Sequence, residues 1–367
     1  MNGTVCFRAA LALALFGALF VPAGHALERP GMEFRVFQFP RDRMPVIDGD
    51  TSDWEIVGDD YTFGTELLDG TRAGHGAAID TTDIDVTVRV GWIRGLNRLY
   101  FLYEAYDDYW DFAWYGEERG YRNDIFEIVV DGDMSGGPLI HNPQIGDRIA
   151  NHFRFSGVHA QNYHIFTPPI HNQWCMVWGS NPWIGRFPWS HYAYDYSFSP
   201  GERGRLVLEF WITPFDYAPH DGPGRAVVSE LTEKKLIGLS WAILDFDHGK
   251  KDGPNNINLA HNTKMVNDAS ALCAFRLMPL EPEFIPAIEA RWSFEVIDPS
   301  RRLVYFKDES VGEIDSWTWH FGDGEVSREQ NPLHRYEQAS IRYNVLLEVS
   351  GQAGTSAHSK HWEVSVP

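Results

Sequence analysis

Cysteine and basic side chains are both scarce in this sequence. Three of the 367 residues are cysteine (Cys6, Cys175 and Cys273), too few for a disulfide-rich scaffold, and no C-x-x-C spacing predicts a zinc site. Lys and Arg together number 31 against 51 Asp and Glu, so the formal net charge is −20. This acidic balance argues against nucleic acids and anionic membranes as partners, because both bind through basic residues.

Long apolar runs are also lacking, apart from one near the start of the chain. Residues 9–21 form an apolar run of 13 residues, preceded by Arg8 and followed by Gly24 and Ala26. The run is too short to span a bilayer comfortably, and the arrangement is typical of a secretory signal. We expect a signal peptide over residues 1–26, which leaves a net charge of −21, and a secreted or periplasmic protein without membrane insertion.

The two cysteines of the mature chain, Cys175 and Cys273, allow two interpretations. In an oxidising compartment two thiols often form one disulfide. Two buried free thiols are the alternative, and the sequence alone does not choose between them.

Patterns of long amphipathic helices are absent, and short alternating segments take their place. Each segment has five to nine residues, is rich in β-branched or aromatic side chains, and is bounded by Gly, Pro, Asn or Asp. Examples are Ile84–Trp92, Leu99–Tyr103, Ile125–Val130, Leu206–Ile212 and Ile237–Leu244. This pattern predicts an all-β fold built from antiparallel β-sandwiches.

The break between two domains is predicted near residue 280. Residues 278–290 carry three prolines with acids between them, and we assign 281–287 as a linker. Beyond it, the pattern W-x-F-G-D-G is followed by N-P, a histidine, a tyrosine and an alternating strand. The matching residues are Trp319, Phe321, Gly322, Asp323, Gly324, Asn331, Pro332, His334, Tyr336 and Val345–Val349. Residues 288–367 therefore resemble a PKD (polycystic kidney disease) domain, which implies an immunoglobulin-like sandwich that acts as a spacer or contact module.

Residues 27–280 carry a second set of motifs. They include I-D-G followed by D-W, L-Y followed by D-D, D-x-x-E-x-x-x-D, D-x-D and a final F-x-L strand. The matching residues are Ile47, Asp48, Gly49, Asp53, Trp54, Leu99, Tyr100, Asp107, Asp108, Asp124, Glu127, Asp131, Asp245, Asp247, Phe275 and Leu277. This order resembles the family 9 carbohydrate-binding modules, which implies a β-sandwich, a saccharide ligand and structural calcium.

Acid clusters follow several of the predicted strands. Calcium takes six to eight oxygen ligands, and carboxylates spaced by two in a glycine-containing loop can face one centre. Turn acids at strand ends are the alternative explanation. The candidate ligands are Asp131, Asp133, Ser135, Asp48, Asp50, Asp107 and Asp108.

Two stretches are unusually aromatic for loops. Residues 106–115 hold six aromatic side chains, and residues 174–198 hold nine. Aromatic rings can stack on the apolar face of a pyranose while charged and amide groups bind its hydroxyls. The candidate ligand-binding residues are Trp110, Trp114, Trp178, Trp183, Trp189, Asp111, Asn181 and Arg186.

Two other functions remain open at this point. A polysaccharide lyase or hydrolase could use a histidine with Tyr163 or carboxylates, although neither G-x-S-x-G nor H-E-x-x-H occurs. The histidines concerned are His141, His152, His159, His164 and His171. Non-covalent haem could be held by Met134, Met176 or His171.

The sequence thus favours an exported protein that binds a polysaccharide or oligosaccharide without catalysis. It would serve as an accessory to secreted enzymes or in surface attachment.

Overall fold

The computed structural model describes residues 27–72, 74–113, 122–140, 154–247, 254–285, 287–351 and 353–366. The chain divides into two compact units, one up to Leu280 and one from Glu281. In the described residues the regular structure is mainly strand, with 3-10 turns of three or four residues such as Thr51–Trp54 and Pro182–Gly185. The predicted all-β class is confirmed. No helix of these residues is long and apolar enough to cross a membrane.

Fifteen strands build the described part of the first unit. They are β1 Glu33–Gln38, β2 Thr62–Gly64, β3 Asp69–Gly70, β4 Ile84–Trp92, β5 Leu99–Asp107, β6 Ile125–Asp131, β7 Gln161–Ile170, β8 Gln173–Val177, β9 Ser190–Tyr196, β10 Gly204–Ile212, β11 Phe215–Tyr217, β12 Val227–Val228, β13 Leu236–Asp245, β14 Asn255–Asn258 and β15 Cys273–Leu277. The main hydrogen-bonded order is β8-β7-β6-β13-β15-β1-β4-β5-β10-β9.

Strand β1 lies in the middle of that order and is shared by two sheets. The first sheet is β8-β7-β6-β13-β15-β1, and the second sheet is β1-β4-β5-β10-β9. Its first four residues pair in parallel with β15, from Glu33 opposite Ala274 onward. Its last two residues, Phe37 and Gln38, pair in parallel with β4. The other strand pairs are antiparallel, as predicted, so β1 is the departure from an antiparallel sandwich.

Alternating apolar residues place one continuous core between the two sheets. Along β4, Ile84, Val86, Val88 and Val90 point into it, as a period of two requires. Rings from opposite sheets pack on one another, since Tyr103 of β5 stacks on Phe126 of β6 with centroids 4.3 Å apart. Such aromatic contacts fix the two sheets face to face.

This topology contradicts the predicted disulfide between Cys175 and Cys273. Cys175 lies on β8 and Cys273 on β15, and strands β7, β6 and β13 separate them in the sheet. Four strand spacings amount to roughly 19 Å, whereas a disulfide needs Cα atoms within about 7 Å. Both cysteines are buried and free, and burial raises the pKa of both thiols, that of Cys273 to about 12.

The second unit forms two antiparallel sheets of its own. Its strands are β16 Trp292–Asp298, β17 Leu303–Asp308, β18 Ser316–His320, β19 Val326–Ser327, β20 Leu333–Arg335, β21 Ile341–Gly351 and β22 Gly354–Val366. The sheet orders are β16-β17-β20 and β19-β18-β21-β22. Trp319 and Phe321 are buried in its core, while Trp317 is half-buried and donates its indole N–H to Asp308 Oδ2 at 2.7 Å.

The turn Gly322-Asp323-Gly324 shows why the G-D-G part of the PKD pattern requires two glycines and an aspartate. Gly322 and Gly324 both have positive φ, +84° and +100°. Asp323 accepts a backbone hydrogen bond from Glu325 through Oδ1, and its Oδ2 lies 2.7 Å from His334 Nε2. The His334 ring stacks on Phe321 with centroids 3.9 Å apart, so the polar turn and the core hold each other in place.

These two glycines give a matched pair of variants. A Cβ on Gly322 would lie 2.5 Å from the carbonyl oxygen of Asn344, whereas a Cβ on Gly324 would have no atom within 4 Å. Both Gly→Ala changes carry a backbone cost of about 1–2 kcal/mol, and only Gly322→Ala adds a clash. We expect Gly322→Ala to destabilise the second unit more than Gly324→Ala does.

Hydrogen exchange of the β21 amides in the full chain measures this local stability. Equal loss of protection in the two variants would contradict the assignment of the clash.

Candidate functional site

A groove lies where the end strands of the two sheets, β8 and β9, face each other. Strands β7 and β8 form a hairpin whose two-residue turn is His171-Asn172, closed by the pair Ile170 and Gln173. Both turn residues have positive φ, as this short hairpin turn requires. The Tyr192 hydroxyl of β9 donates to the Asn172 carbonyl at 3.4 Å, so the turn lies against the facing strand.

The floor of the groove is rigid because Trp174 is held on three sides. Its ring stacks on Tyr192 with centroids 5.1 Å apart and packs against Phe210 at 5.7 Å. Its indole N–H donates to the Gly185 carbonyl at 2.8 Å. A Cβ on Gly185 would lie 3.0 Å from Cys175 Sγ, so a glycine lets this turn approach β8.

The walls of the groove combine one exposed ring with several polar side chains. Phe187 is 78% exposed, and it follows Arg186, which is also exposed. The groove has a volume of about 610 Å³ and also includes Asn172, Gln173 and His191 in its lining. An open site with apolar rings, amides, imidazoles and a guanidinium can stack a ring-shaped ligand and bind its hydroxyls.

Of the predicted ligand-binding residues, Arg186 lines this groove. Trp110 does not, because it is 1% exposed, stacks on Phe198 at 4.9 Å and donates its N–H to the Gly204 carbonyl. Asn181 is fully buried, and its amide donates to the carbonyls of Gly157 and Ala218. Burial corrects the prediction for these two residues, whose roles are structural.

Trp178, Trp183 and Trp189 are half-buried and pack on the core. Trp183 and Trp189 pack edge-on against each other and against Phe215, and Trp183 donates to the Pro219 carbonyl. Trp178 packs edge-on against His164. Asp111 lies at the other aromatic stretch, where its backbone N–H donates to Asp124, and Trp114 lies outside the described residues.

The residues of the enzyme alternative are dispersed, whereas two of the three haem candidates line the groove. Tyr163 is buried in the core, and the next residue, His164, points to the opposite face of β7, so the two cannot act on one substrate. His159 is half-buried, and His141 and His152 lie outside the described residues. Met176 and His171 line the groove, whereas Met134 lies in the loop after β6.

A second site forms at one end of the sandwich from acids on several strands. Antiparallel pairing places Ile84 opposite Asp107 and Ile125 opposite Leu244, so the start of one strand lies beside the end of its neighbour. Six carboxylates meet there in two sets, an inner one and an outer one. The inner set is Asp107, Asp124 and Asp245, and the outer set is Asp83, Asp108 and Asp247.

The inner set contains carboxylate oxygens that have no hydrogen-bond partner. Within each set the ligand atoms lie within 4.8 Å of one another, and the three inner residues are buried. Asp107 Oδ2 and both oxygens of Asp245 are buried and accept no hydrogen bond. Asp124 accepts backbone hydrogen bonds from Phe246 at 2.8 Å and from Asp111 at 2.5 Å. Uncompensated oxygens in such positions fit a hard cation, because calcium is bound through carboxylates.

The six carboxylates of this cluster would carry a large net negative charge if all were ionised. In the part of the chain that the structure describes, Arg72 is the basic residue paired with it, with Nη1 2.5 Å from Asp247 and 3.7 Å from Asp245. Burial, followed by repulsion from neighbouring carboxylates, raises the pKa of Asp107 to about 8 and that of Asp245 to about 7. Burial raises the pKa of Asp124 as well.

The predicted calcium ligand Asp131 lies at the far end of β6 from Asp124, roughly 23 Å away along the strand. Its Oδ1 accepts from the Ser135 backbone at 3.2 Å and its Oδ2 from Gly136 at 2.7 Å. Asp133 Oδ1 also accepts from the Ser135 backbone. Burial raises the pKa of Asp131 to about 6. These carboxylates organise the turn, and calcium binding there stays a prediction.

The predicted ligands Asp48 and Asp50 are exposed and shape the I-D-G segment. Asp48 accepts from the Asp50 backbone, and Asp50 caps the turn Thr51–Trp54. The segment is fastened to Glu209 of β10, which accepts hydrogen bonds from the backbones of residues 48 and 49 and from the Trp54 indole at 2.7 Å. The I-D-G segment therefore covers the face of β10 that points away from the core.

The family model of the PKD domain matches residues 289–366, which confirms the predicted PKD domain. This chain is also similar to the PKD1 domain of Vibrio anguillarum Epp, at 28% identity over 22% of this chain and 95% of that one, with a TM-score of 0.20.

The larger part of the chain is similar to a family 9 carbohydrate-binding module from Caldicellulosiruptor kristjanssonii in complex with cellotriose. The identity is 14% over 69% of this chain and 97% of that chain, and the TM-score is 0.41. A putative carbohydrate-binding protein from Bacteroides uniformis is 9% identical over 67% of this chain and 98% of that chain, with a TM-score of 0.37.

The raised pKa values predict a pH dependence for the metal-free protein. In the folded state, Asp107 and Asp245 keep their protons up to about pH 8 and about pH 7, whereas the unfolded chain releases them near the ordinary value of 3.8. The folded state therefore binds more protons in this window, and we expect the free energy of unfolding to fall as the pH rises through it.

Urea unfolding in a chelator, from about pH 5 to about pH 8, measures this slope. Asp107→Asn should flatten it, because the amide does not titrate. A free energy that increases with pH in the wild-type protein would contradict the assignment.

Proposed function

We propose that the first unit is a non-catalytic saccharide-binding module and that the groove between β8 and β9 is its binding surface. The observation that carries this proposal is the Phe187 ring, which stands in solvent at the groove beside the Arg186 guanidinium. The resemblance of the I-D-G, D-W and D-D motifs to family 9 modules favours the same class of ligand.

The chemistry of the groove suits a neutral sugar. A pyranose can place its apolar face on Phe187, while its hydroxyls accept from Arg186 and exchange hydrogen bonds with Gln173 and Asn172. The rigid Trp174–Tyr192 stack beneath limits the entropy lost on binding, because the wall is already ordered. The opening at the edge of the sandwich lets a longer chain extend beyond the groove.

Calcium is the second part of the proposal. Asp107, Asp124 and Asp245 would hold it with the help of the outer set, because three of their oxygens are buried without a hydrogen bond. The ion would neutralise a cluster that burial otherwise forces to protonate, and it would tie together the ends of β5, β6 and β13.

The N-terminal segment and the PKD domain suggest where the protein acts. We propose export through the signal over residues 1–26, which lies outside the described residues, and cleavage near Ala26. The PKD domain would serve as a spacer or contact module, and the chain would act beside secreted enzymes or in surface attachment. N-terminal sequencing of the exported protein tests the cleavage site.

Replacing Phe187 by Ala tests the groove. We expect saccharide affinity to fall about tenfold or more, equivalent to about 1.4 kcal/mol, because the stacking ring is lost. Affinity electrophoresis through gels that contain cellulose derivatives, xylan or mixed-linkage glucan, followed by calorimetry with cellotriose, measures the change. Phe155→Ala is the matched control, since Phe155 is an exposed phenylalanine outside the groove.

Three results would reject the binding proposal. The first is a wild-type protein that none of these polysaccharides retards, and the second is a Phe187→Ala protein that binds as the wild type does. The third is a Soret band in the purified protein that Met176→Ala removes, which would assign the groove to haem. Release of new chain ends from a polysaccharide would instead show catalysis.

Calcium binding is tested by thermal unfolding. Calcium at about 100 times its dissociation constant should stabilise the protein by about 2.7 kcal/mol. We expect Asp245→Asn to abolish most of this gain, whereas Asp221→Asn, at an exposed residue paired with Arg225, should retain it. Equal calcium stabilisation of wild type and Asp245→Asn would contradict the assignment.

A further inference from the structure

Two histidines and a buried carboxylate meet at a third place in the first unit. They are Asp69, the first residue of β3, with His75 and His261. One ligand atom from each lies within 4.8 Å of the other two. The ligand set differs in kind from the acid cluster, because imidazole nitrogens suit transition metals and carboxylates alone suit calcium.

The backbone brings these residues together from distant parts of the sequence. Asp69 pairs with Asn258 of β14, which places the turn that contains His261 beside it. His261 has a φ of +56°, so the chain reverses there and directs the ring toward β3. The Gly76 backbone donates to Asp69 Oδ1 at 3.1 Å, which holds the neighbouring His75 over the same carboxylate.

Asp69 Oδ2 is the oxygen that faces both rings. Asp69 is 7% exposed, and its Oδ2 is buried without a hydrogen-bond partner. His261 Nδ1 lies 3.3 Å from it, and His75 Nδ1 is in contact with it. The ligand atoms of a tetrahedral zinc site with bonds of 2.0–2.2 Å are about 3.4 Å apart, so the spacing between His261 and Asp69 is that of two ligands of one ion.

The other nitrogen of His261 fixes the tautomer of its ring. Nε2 lies 2.9 Å from the Leu67 carbonyl, and since a carbonyl can only accept, Nε2 carries the proton. In neutral imidazole Nδ1 then presents a lone pair to the Asp69 carboxylate, an arrangement that a cation between the two atoms would stabilise. A backbone carbonyl on the distal nitrogen is the usual support of a metal-binding histidine.

We propose that Asp69, His75 and His261 bind a divalent transition-metal ion through Oδ2 and the two Nδ1 atoms. Water would complete the coordination, because the His75 side chain is 78% exposed. The ion would join the segment before β4 to the turn after β14. The site shares no residue with the groove or with the acid cluster.

Zinc and copper titrations of the tag-free full chain test this site, with calcium added in excess to occupy carboxylate sites. We expect one ion per chain and nitrogen hyperfine coupling in the electron paramagnetic resonance spectrum of the copper form. His75→Gln and His261→Asn should each weaken zinc binding at least tenfold. Asparagine is chosen at residue 261 because it tolerates positive φ, and circular dichroism checks that both variants fold.

His220→Gln is the control, since His220 is exposed and outside the cluster, and it should bind zinc as the wild type does. The proposal is overturned if His75→Gln and His261→Asn retain wild-type affinity. It is also overturned if the copper spectrum lacks nitrogen coupling, or if the wild type binds neither metal.

Discussion

The hydrogen bonds of β1 hold the two sheets of the first unit together. Because β1 pairs with β15 through its first four residues and with β4 through its last two, both sheets begin at the same strand. Strands β8 and β9 are consequently the last members of the two sheets, and they meet on the side opposite β1. The groove lies where the sandwich is not closed by a shared strand and is instead bridged by the contact of Trp174 with Tyr192.

The alternating segments were sufficient to predict the strands, because period-two burial is a local property that each segment carries in its own residues. The PKD domain was predictable for a different reason. Its turn needs glycine at positive φ and an acid that caps it, so the letters G-D-G report a backbone shape directly. The shared strand β1 left no comparable local signal, since parallel pairing on both sides depends on residues more than fifty positions away.

The functional residues were harder to predict for a physical reason. The sequence pattern favours tryptophan as the ligand-binding ring. A large indole gains most by burial, however, and Trp110 and Trp183 use their N–H groups to satisfy interior carbonyls. The smaller Phe187, in the same aromatic stretch, is the ring left in solvent. Likewise, Asp124, Asp245 and Asp247 were visible as motif letters, but only the register of β4 with β5 and of β6 with β13 shows that they meet Asp107.

Pairing between Glu33 and Ala274 also constrains how the first unit acquires its structure. The strand that links the sheets is made first, and its partner β15 is made almost last, so nearly the whole unit must leave the ribosome before the sandwich can close. Contacts between such distant residues slow folding, because the chain loses much entropy before they form. A chain that stays open for that long would suit the export proposed above, because machineries that thread polypeptides across a membrane take them up before they fold.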